Sequence, residues 1–202
     1  IHLDVKPSNI LFRQAADGSE AEAVLVDFGL SRHDHLPDLL DEEFTLPMGT
    51  GPYMSPDHIQ FVRDEPRSDL YALGVMLYHL TTGERPFGQP TSIAGLRQRL
   101  YREPVPPRVL RPDCPPWLQE ILLRCLEPRA DKRHDTAAQL AFDLMHPQQV
   151  PLTARAEKRE RSGRLRALRR WFASVGSEPQ ASGGASADLP RHAILMAAVD
   201  VG

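Results

Sequence analysis

Three residue types suited to acid–base and charge chemistry lie within six positions near the start of the chain. His2-Leu3-Asp4-Val5-Lys6-Pro7-Ser8-Asn9 supplies a carboxylate (Asp4), a cation (Lys6) and an amide (Asn9), just before an apolar run. A second carboxylate follows in Asp27-Phe28-Gly29. Asp27 and Asn9 offer hard oxygen ligands of the kind that hold Mg²⁺, an ion bound through few protein groups plus phosphate oxygens. Asp4 is then placed to orient a hydroxyl and accept its proton, and Lys6 to neutralise charge on a transferring phosphoryl group.

These residues need elements that bring them together. Ile10–Phe12 and Val24–Val26 are short β-type runs around a loop containing Asp17-Gly18, which predicts a hairpin. Folding it places the loops at its open end side by side, so that Asp27 approaches Asn9. Residues 31–56 lack periodicity and carry several Pro and Gly, which reads as a long loop of functional character. Helical signals follow. Leu70, Leu73, Gly74, Leu77 and Leu80 recur at three or four positions, with Gly83 as a stop. Gly95–Tyr101 is a weaker helical segment. Pro115-Pro116 can open a helix whose apolar stripe is Leu118, Ile121, Leu122, Cys125 and Leu126. Thr136 and Gln139 form a capping box ahead of Leu140, Ala141 and Leu144. The expected fold class is α+β, a mainly helical body with one short hairpin.

Composition narrows the function classes. The chain has 202 residues, 24 Lys+Arg against 27 Asp+Glu and a formal charge of −3, which argues against bulk nucleic-acid binding. Two cysteines, Cys114 and Cys125, make no disulfide framework, so a reducing, cytoplasmic setting is expected. No apolar run reaches the roughly 18 residues of a membrane helix. The charge is uneven: Arg155–Arg170 holds eight basic and two acidic residues, net +6, which leaves −9 for the rest. Ala173–Pro190 is rich in Ala, Ser and Gly, a flexible linker by composition.

The ordered motifs resemble the protein kinase family. His-x-Asp-x-Lys-x-x-Asn at 2–9 followed by Asp27-Phe28-Gly29 is similar to its catalytic and metal loops. Gly49-Thr50-Gly51-Pro52-Tyr53-Met54-Ser55-Pro56-Asp57 resembles the end of an activation segment. Ser68-Asp69-Leu70-Tyr71-Ala72-Leu73-Gly74-Val75 resembles the buried helix that anchors the catalytic loop. The likeness runs from residue 1 to about 146 and is closest to bacterial serine/threonine kinases. It implies a kinase-like fold seen from the catalytic loop onward, a C-lobe with the N-lobe absent. It also implies ATP and Mg²⁺ as cofactors and a protein Ser/Thr hydroxyl as acceptor. By the same resemblance Asp4 is the base and Lys6 the phosphate contact. Asn9 and Asp27 hold metal, and Leu11 packs beneath the adenine ring. Thr50 bridges Asp4 and Lys6, and Thr45 or Ser31 occupies a phosphorylation position. His2, Phe28 and Gly29 support the loops, Asp69 anchors the catalytic loop, and Arg133 pairs with Asp57.

Two departures stand out. Leu3 replaces the arginine that would receive a phosphorylated activation-segment residue, so Thr45 and Ser31 are expected to be weak switches. Asp57 replaces a glutamate and is one methylene shorter, yet its pair with Arg133 is expected to form, since breaking a buried pair on one side costs about 3–5 kcal/mol.

Blander readings stand beside these. Cys125 lies on the apolar stripe and reads as core, Cys114 as an inert loop thiol. Arg155–Arg170 reads first as a solvated linker and second as a segment docked on an acidic face or an anionic membrane. His192–Asp200 resembles the first strand of a universal stress protein domain. The expected layout is a C-lobe at 1–146, a linker at 147–190 and the start of such a domain at 191–202. A non-catalytic binding scaffold and a stress-sensing kinase fusion are the alternatives to an active kinase, and oligomeric state is left open.

Overall fold

A computed structural model describes residues 1–14, 21–33 and 49–160. Strands β1 (Ile10–Arg13) and β2 (Glu22–Leu25) form the expected antiparallel hairpin, with Ile10 opposite Leu25 and Arg13 opposite Glu22. Ile10 and Leu25 at its open end pack against the core, while Leu11 and Phe12 face outward. The pairing continues past β2, where the Val26 amide donates to the Asn9 carbonyl at 2.9 Å. That bond fixes where the residue after Val26 must emerge.

The body is helical. It comprises α1 (Pro56–Ile59), α2 (Arg67–Thr82), α3 (Ile93–Arg97), α4 (Pro107–Leu110), α5 (Pro116–Cys125) and α6 (Ala137–Met145). Helix α2 is the central post. Leu70, Tyr71, Ala72, Gly74, Val75, Met76 and Tyr78 are all buried on it, so it is covered on more than one side. One side meets Val5, Tyr53 and Leu126; another meets Ile121, Cys125 and Leu140. The helix stops at Gly83, whose left-handed φ of 78° lets its amide reach the His79 carbonyl. Gly74 is a contact point: a Cβ there would lie 2.4 Å from the Cβ of Cys125, so α2 and α5 approach closely.

Local signals account for most helix starts. Ser55 accepts from the His58 amide at α1, Ser92 from Gly95 at α3 and Thr136 from Gln139 at α6. The capping box at α6 is displaced by one residue on its return side, because Gln139 Oε1 accepts from the Asp135 amide. Residues Gly95–Tyr101 divide between the end of α3 and a 3-10 turn at Gln98–Leu100. Of the long loop expected at 31–56, residues 34–48 lie outside the described residues. Its far end is ordered as a 3-10 turn, Gly51–Tyr53, running into α1.

Helical packing does not stop at 146. Residues 150–160 lie as a strap on α5, with Val150 and Ala156 buried. Gln119 Nε2 donates to the carbonyls of Arg155, Ala156 and Lys158 at 2.7, 3.1 and 3.0 Å. The buried Glu120 carboxylate accepts from the Thr153 amide and hydroxyl and from the Ala156 amide. Arg155 pairs with Glu120 and Glu127, and Lys158 with Glu103. For Arg155 and Lys158, docking on acidic positions of the body is what the structure shows. Residues 161–170, and the tail to 202, lie outside the described residues. No described helix is long and apolar enough to cross a membrane.

Candidate active site

The loop His2–Asn9 is suspended from α2 by one carboxylate. Asp69 accepts from the His2 amide through Oδ2 and from the Leu3 amide through Oδ1, both at 2.8 Å. Hydrogen bonds to a charged group are worth about 1.5–3 kcal/mol each, enough to fix the loop's path. Within it Leu3 takes a left-handed φ of 65°, a strained state for a residue with a branched side chain. Leu3 is buried and, with Met54 and His58, lines a small cavity. The His2 ring contacts Phe28 with centroids 5.0 Å apart, and its Nε2 lies 3.1 Å from the Val26 carbonyl. Thus the two loops are tied through His2 as well as through the hairpin.

Around Asp4 the polar groups close into a network. Lys6 Nζ is 2.7 Å from Asp4 Oδ2 and donates to Thr50 Oγ1 at 3.0 Å. Thr50 donates to Asp4 Oδ1 through its hydroxyl at 2.9 Å and its amide at 3.2 Å. Asn9 Nδ2 donates to the Asp4 carbonyl at 3.0 Å and to Oδ2 at 3.2 Å. Burial pushes the Asp4 pKa upward, but the hydrogen bonds from Lys6 and Thr50 and the charge of Lys6 outweigh it, and the net shift is downward. Asp4 is therefore an ionised acceptor at neutral pH, only 8% exposed, with a cation beside it.

Asp27 differs. It too has a left-handed φ of 65°, but it is exposed, and its carboxylate accepts from the Gly29 amide at 3.3 Å. Its backbone follows Val26, which is bonded to Asn9, so the two residues are neighbours through the main chain. Among the described residues both side-chain hydrogen bonds of Asn9 use Nδ2, which leaves its Oδ1 as the oxygen to present to a cation. An exposed carboxylate and an amide oxygen on adjoining loops suit Mg²⁺ completed by phosphate and water oxygens. Leu11, expected under a purine, is 56% exposed on β1, an apolar side chain open on the same hairpin.

The supporting residues are placed as follows. Arg133 Nη2 is 2.6 Å from Asp57 Oδ2, so the shorter acid still forms the pair. Arg133 is fully buried, donates to the carbonyls of Glu127, Pro128 and Arg67, and lies over the Tyr71 ring at 5.1 Å. Phe28 and Gly29 are exposed at the end of the second loop. Ser31 is half-buried, with its amide bonded to the Phe28 carbonyl, and Thr45 lies outside the described residues. Burial raises the Cys114 thiol and pushes Cys125 up to about 12, so neither is a nucleophile at neutral pH.

Two contributors were not legible as site residues. Ser55 caps α1 and donates to Ser68 at 2.9 Å, joining the end of the Thr50 segment to α2. A Ser-Pro pair ahead of a helix was the available signal. Arg99 is completely buried beside the same segment and donates to the Met54 carbonyl. Nothing in the local sequence marks it, since an arginine in a polar stretch ordinarily faces solvent.

Comparison with known proteins agrees with this geometry. The protein kinase domain family matches residues 1–145. The serine/threonine-protein kinase PknB of Mycolicibacterium smegmatis is 36% identical over 156 residues, covering 75% of this chain and 24% of its own length. The serine/threonine-protein kinase pkn3 of Myxococcus xanthus is 32% identical over 210 residues, covering all of this chain and 34% of its own length. The tyrosine-protein kinase MasK of the same species is 32% identical over 144 residues, or 71% of this chain and 21% of its own length. The chain thus spans about a fifth to a third of the length of these relatives. Members of the family in general use ATP and Mg²⁺. The chain belongs to the protein kinase domain family, with bacterial serine/threonine-protein kinases among its relatives.

Proposed function

We propose that the protein containing this chain transfers the γ-phosphoryl group of ATP to a Ser or Thr hydroxyl of a protein substrate. The observation that supports this most is the closed set of Asp4, Lys6 and Thr50. Asp4 stays ionised at neutral pH and is the base that accepts the hydroxyl proton. Lys6, held by both partners, faces the charge of the transferring group. Asn9 and Asp27 are the residues that would hold Mg²⁺, which when bound neutralises phosphate charge. Leu11 supplies the apolar support for the purine. The hydroxyl class is read from the Lys6–Thr50 contact, since one relative's name specifies tyrosine. Thr45 and Ser31 are weak switches in this reading, because Leu3 offers no cation to a phosphate. A cytoplasmic setting belongs to the proposal. So does the layout in which a C-lobe at 1–146 is followed by a linker at 147–190 and a universal-stress-protein-like start at 191–202. In that layout the first part of the linker is the strap on α5.

The test is phosphate transfer by the full-length protein to a Ser/Thr-containing acceptor with Mg²⁺ and ATP. Transfer lost on Asp4→Asn supports the reading. Transfer that survives Asp4→Asn overturns the role given to Asp4, and the absence of transfer in the folded wild-type protein overturns the reading in favour of a binding scaffold.

A further inference from the structure

The segment that carries Thr50 to the base must hold its register over several residues, and its short 3-10 turn is too small to do so alone. Its two ends are visibly anchored. Thr50 is bonded to Asp4, while Ser55 is bonded to Ser68 and Asp57 forms an ion pair with Arg133. Between them the carbonyls of Pro52 and Met54 point inward, where a buried acceptor needs a donor. Arg99, on the 3-10 turn after α3, provides it. Its Nη1 donates to the Met54 carbonyl and lies 3.5 Å from that of Pro52, and its guanidinium sits 5.7 Å from the Phe87 ring centroid.

The electrostatics of this arrangement are unusual. Arg99 is 0% exposed, and among the described residues no carboxylate pairs with it. Its Nε and Nη2 make no hydrogen bond there, and the Tyr71 hydroxyl is likewise buried without one. Burial lowers its pKa, yet a guanidinium keeps its proton at any physiological pH. A buried charge without a counter-ion is a poor device for stability, since an apolar side chain of similar volume is often as good or better. The arrangement makes sense if the geometry of the carbonyls matters more. Two buried arginines thus serve the two ends of this stretch: Arg133, over the Tyr71 ring, pairs with Asp57, and Arg99, over the Phe87 ring, holds residues 52 and 54.

We propose that Arg99 is a positioning residue of the phosphotransfer site, clamping the Pro52 and Met54 carbonyls so that Thr50 and the wall beside Asp4 stay in register for a protein acceptor. This rests on the kinase reading above, and it concerns the acceptor side rather than the nucleotide side. Arg99→Met removes the Nη1 donor and the charge at similar volume.

The experiment measures two things on the full-length protein: steady-state constants for acceptor and ATP, and amide exchange over residues 49–58. The expected result for Arg99→Met is a rise of about tenfold or more in the acceptor KM, with the ATP KM unchanged. Faster exchange at the Thr50 and Tyr53 amides should accompany it, with partial recovery of both in Arg99→Lys. An acceptor KM within twofold of wild type, with exchange over 49–58 unaltered, overturns the proposal. Equal losses on the acceptor and ATP sides, with exchange raised throughout the chain, also overturn it, because that is what a structural role would give. If Arg99→Met does not fold, Arg99→Lys decides by the same readouts, since it keeps a charged donor but not the planar guanidinium that sets Nη1 between the two carbonyls. If the wild-type protein transfers no phosphate, the functional reading fails, while amide exchange still decides the clamp.

Discussion

Asp4 and Asp27 lie on adjoining loops, both next to or in left-handed backbone, and have opposite surroundings. Asp4 is nearly sealed, with Lys6, Thr50 and Asn9 all donating to it. Asp27 is open, with one donor from its own loop at 3.3 Å. The first carboxylate is met by its own loop and by the Thr50 segment; the second, among the described residues, has most of its oxygen lone pairs free. A base must be held in one orientation to take a proton. A ligand of a small, well-hydrated cation needs unspent coordination instead. On the proposed function, the helical body organises the proton-accepting side of the site, while the metal side would be organised by what binds there.

Substitutions can break or sharpen that contrast. The largest effect is expected from Asp4→Asn, which should lower kcat by about 10²–10⁴-fold with little loss of stability, measured as steady-state transfer alongside thermal unfolding. Next is Asp69→Ala. It removes the acceptor for the His2 and Leu3 amides and should cost about 3 kcal/mol in denaturant unfolding, taking activity with it. If the Asp4 loop were not suspended from α2, this variant would be close to neutral. Asp27→Asn should leave stability within about 0.5 kcal/mol and raise the Mg²⁺ needed for half-maximal activity about tenfold or more. A clear loss of stability there would erase the contrast.

The smallest effect concerns pH. Asp4 has a folded pKa below its ordinary value, so the stability it contributes is complete above the ordinary carboxylate range. That contribution is lost as pH falls through the depressed folded value. Thr50→Val deletes the hydroxyl donor and should raise the folded pKa, so the acidic limb of kcat moves to higher pH. An unmoved limb would mean that Lys6 and the remaining amide donors hold the carboxylate ionised without the hydroxyl.

What the sequence made legible follows from how local each feature is. Asp4, Lys6 and Asn9 share one loop, and the hairpin has a turn between two apolar runs, so spacing alone outlines them. Thr136 announces α6 because a cap is a three-residue event. The Asp57–Arg133 pair spans 76 positions and was reached through resemblance, not periodicity. Helix α2 shows a weak stripe because several of its sides are buried, and α1 and α4, at four residues each, are too short for a period to register. Arg99, Gln119 and Glu120 were invisible for a different reason. Each is a polar residue whose burial is decided by a distant segment: the Thr50 segment for Arg99 and the strap for the other two.

That strap bears on where a foldable unit ends. The family match stops at residue 145, yet cutting there would uncover Gln119 and Glu120, which are 0% and 3% exposed and find their partners at residues 153–158. A polar group that loses its buried partners costs about 1–3 kcal/mol, and two neighbours on α5 would lose theirs together. A truncation chosen from family boundaries should therefore express as a weakened, protease-sensitive lobe, whereas one ending just past Glu160 should keep α5 closed. The last turn of sequence before the tail acts as the latch of the lobe rather than as the first stretch of its tether.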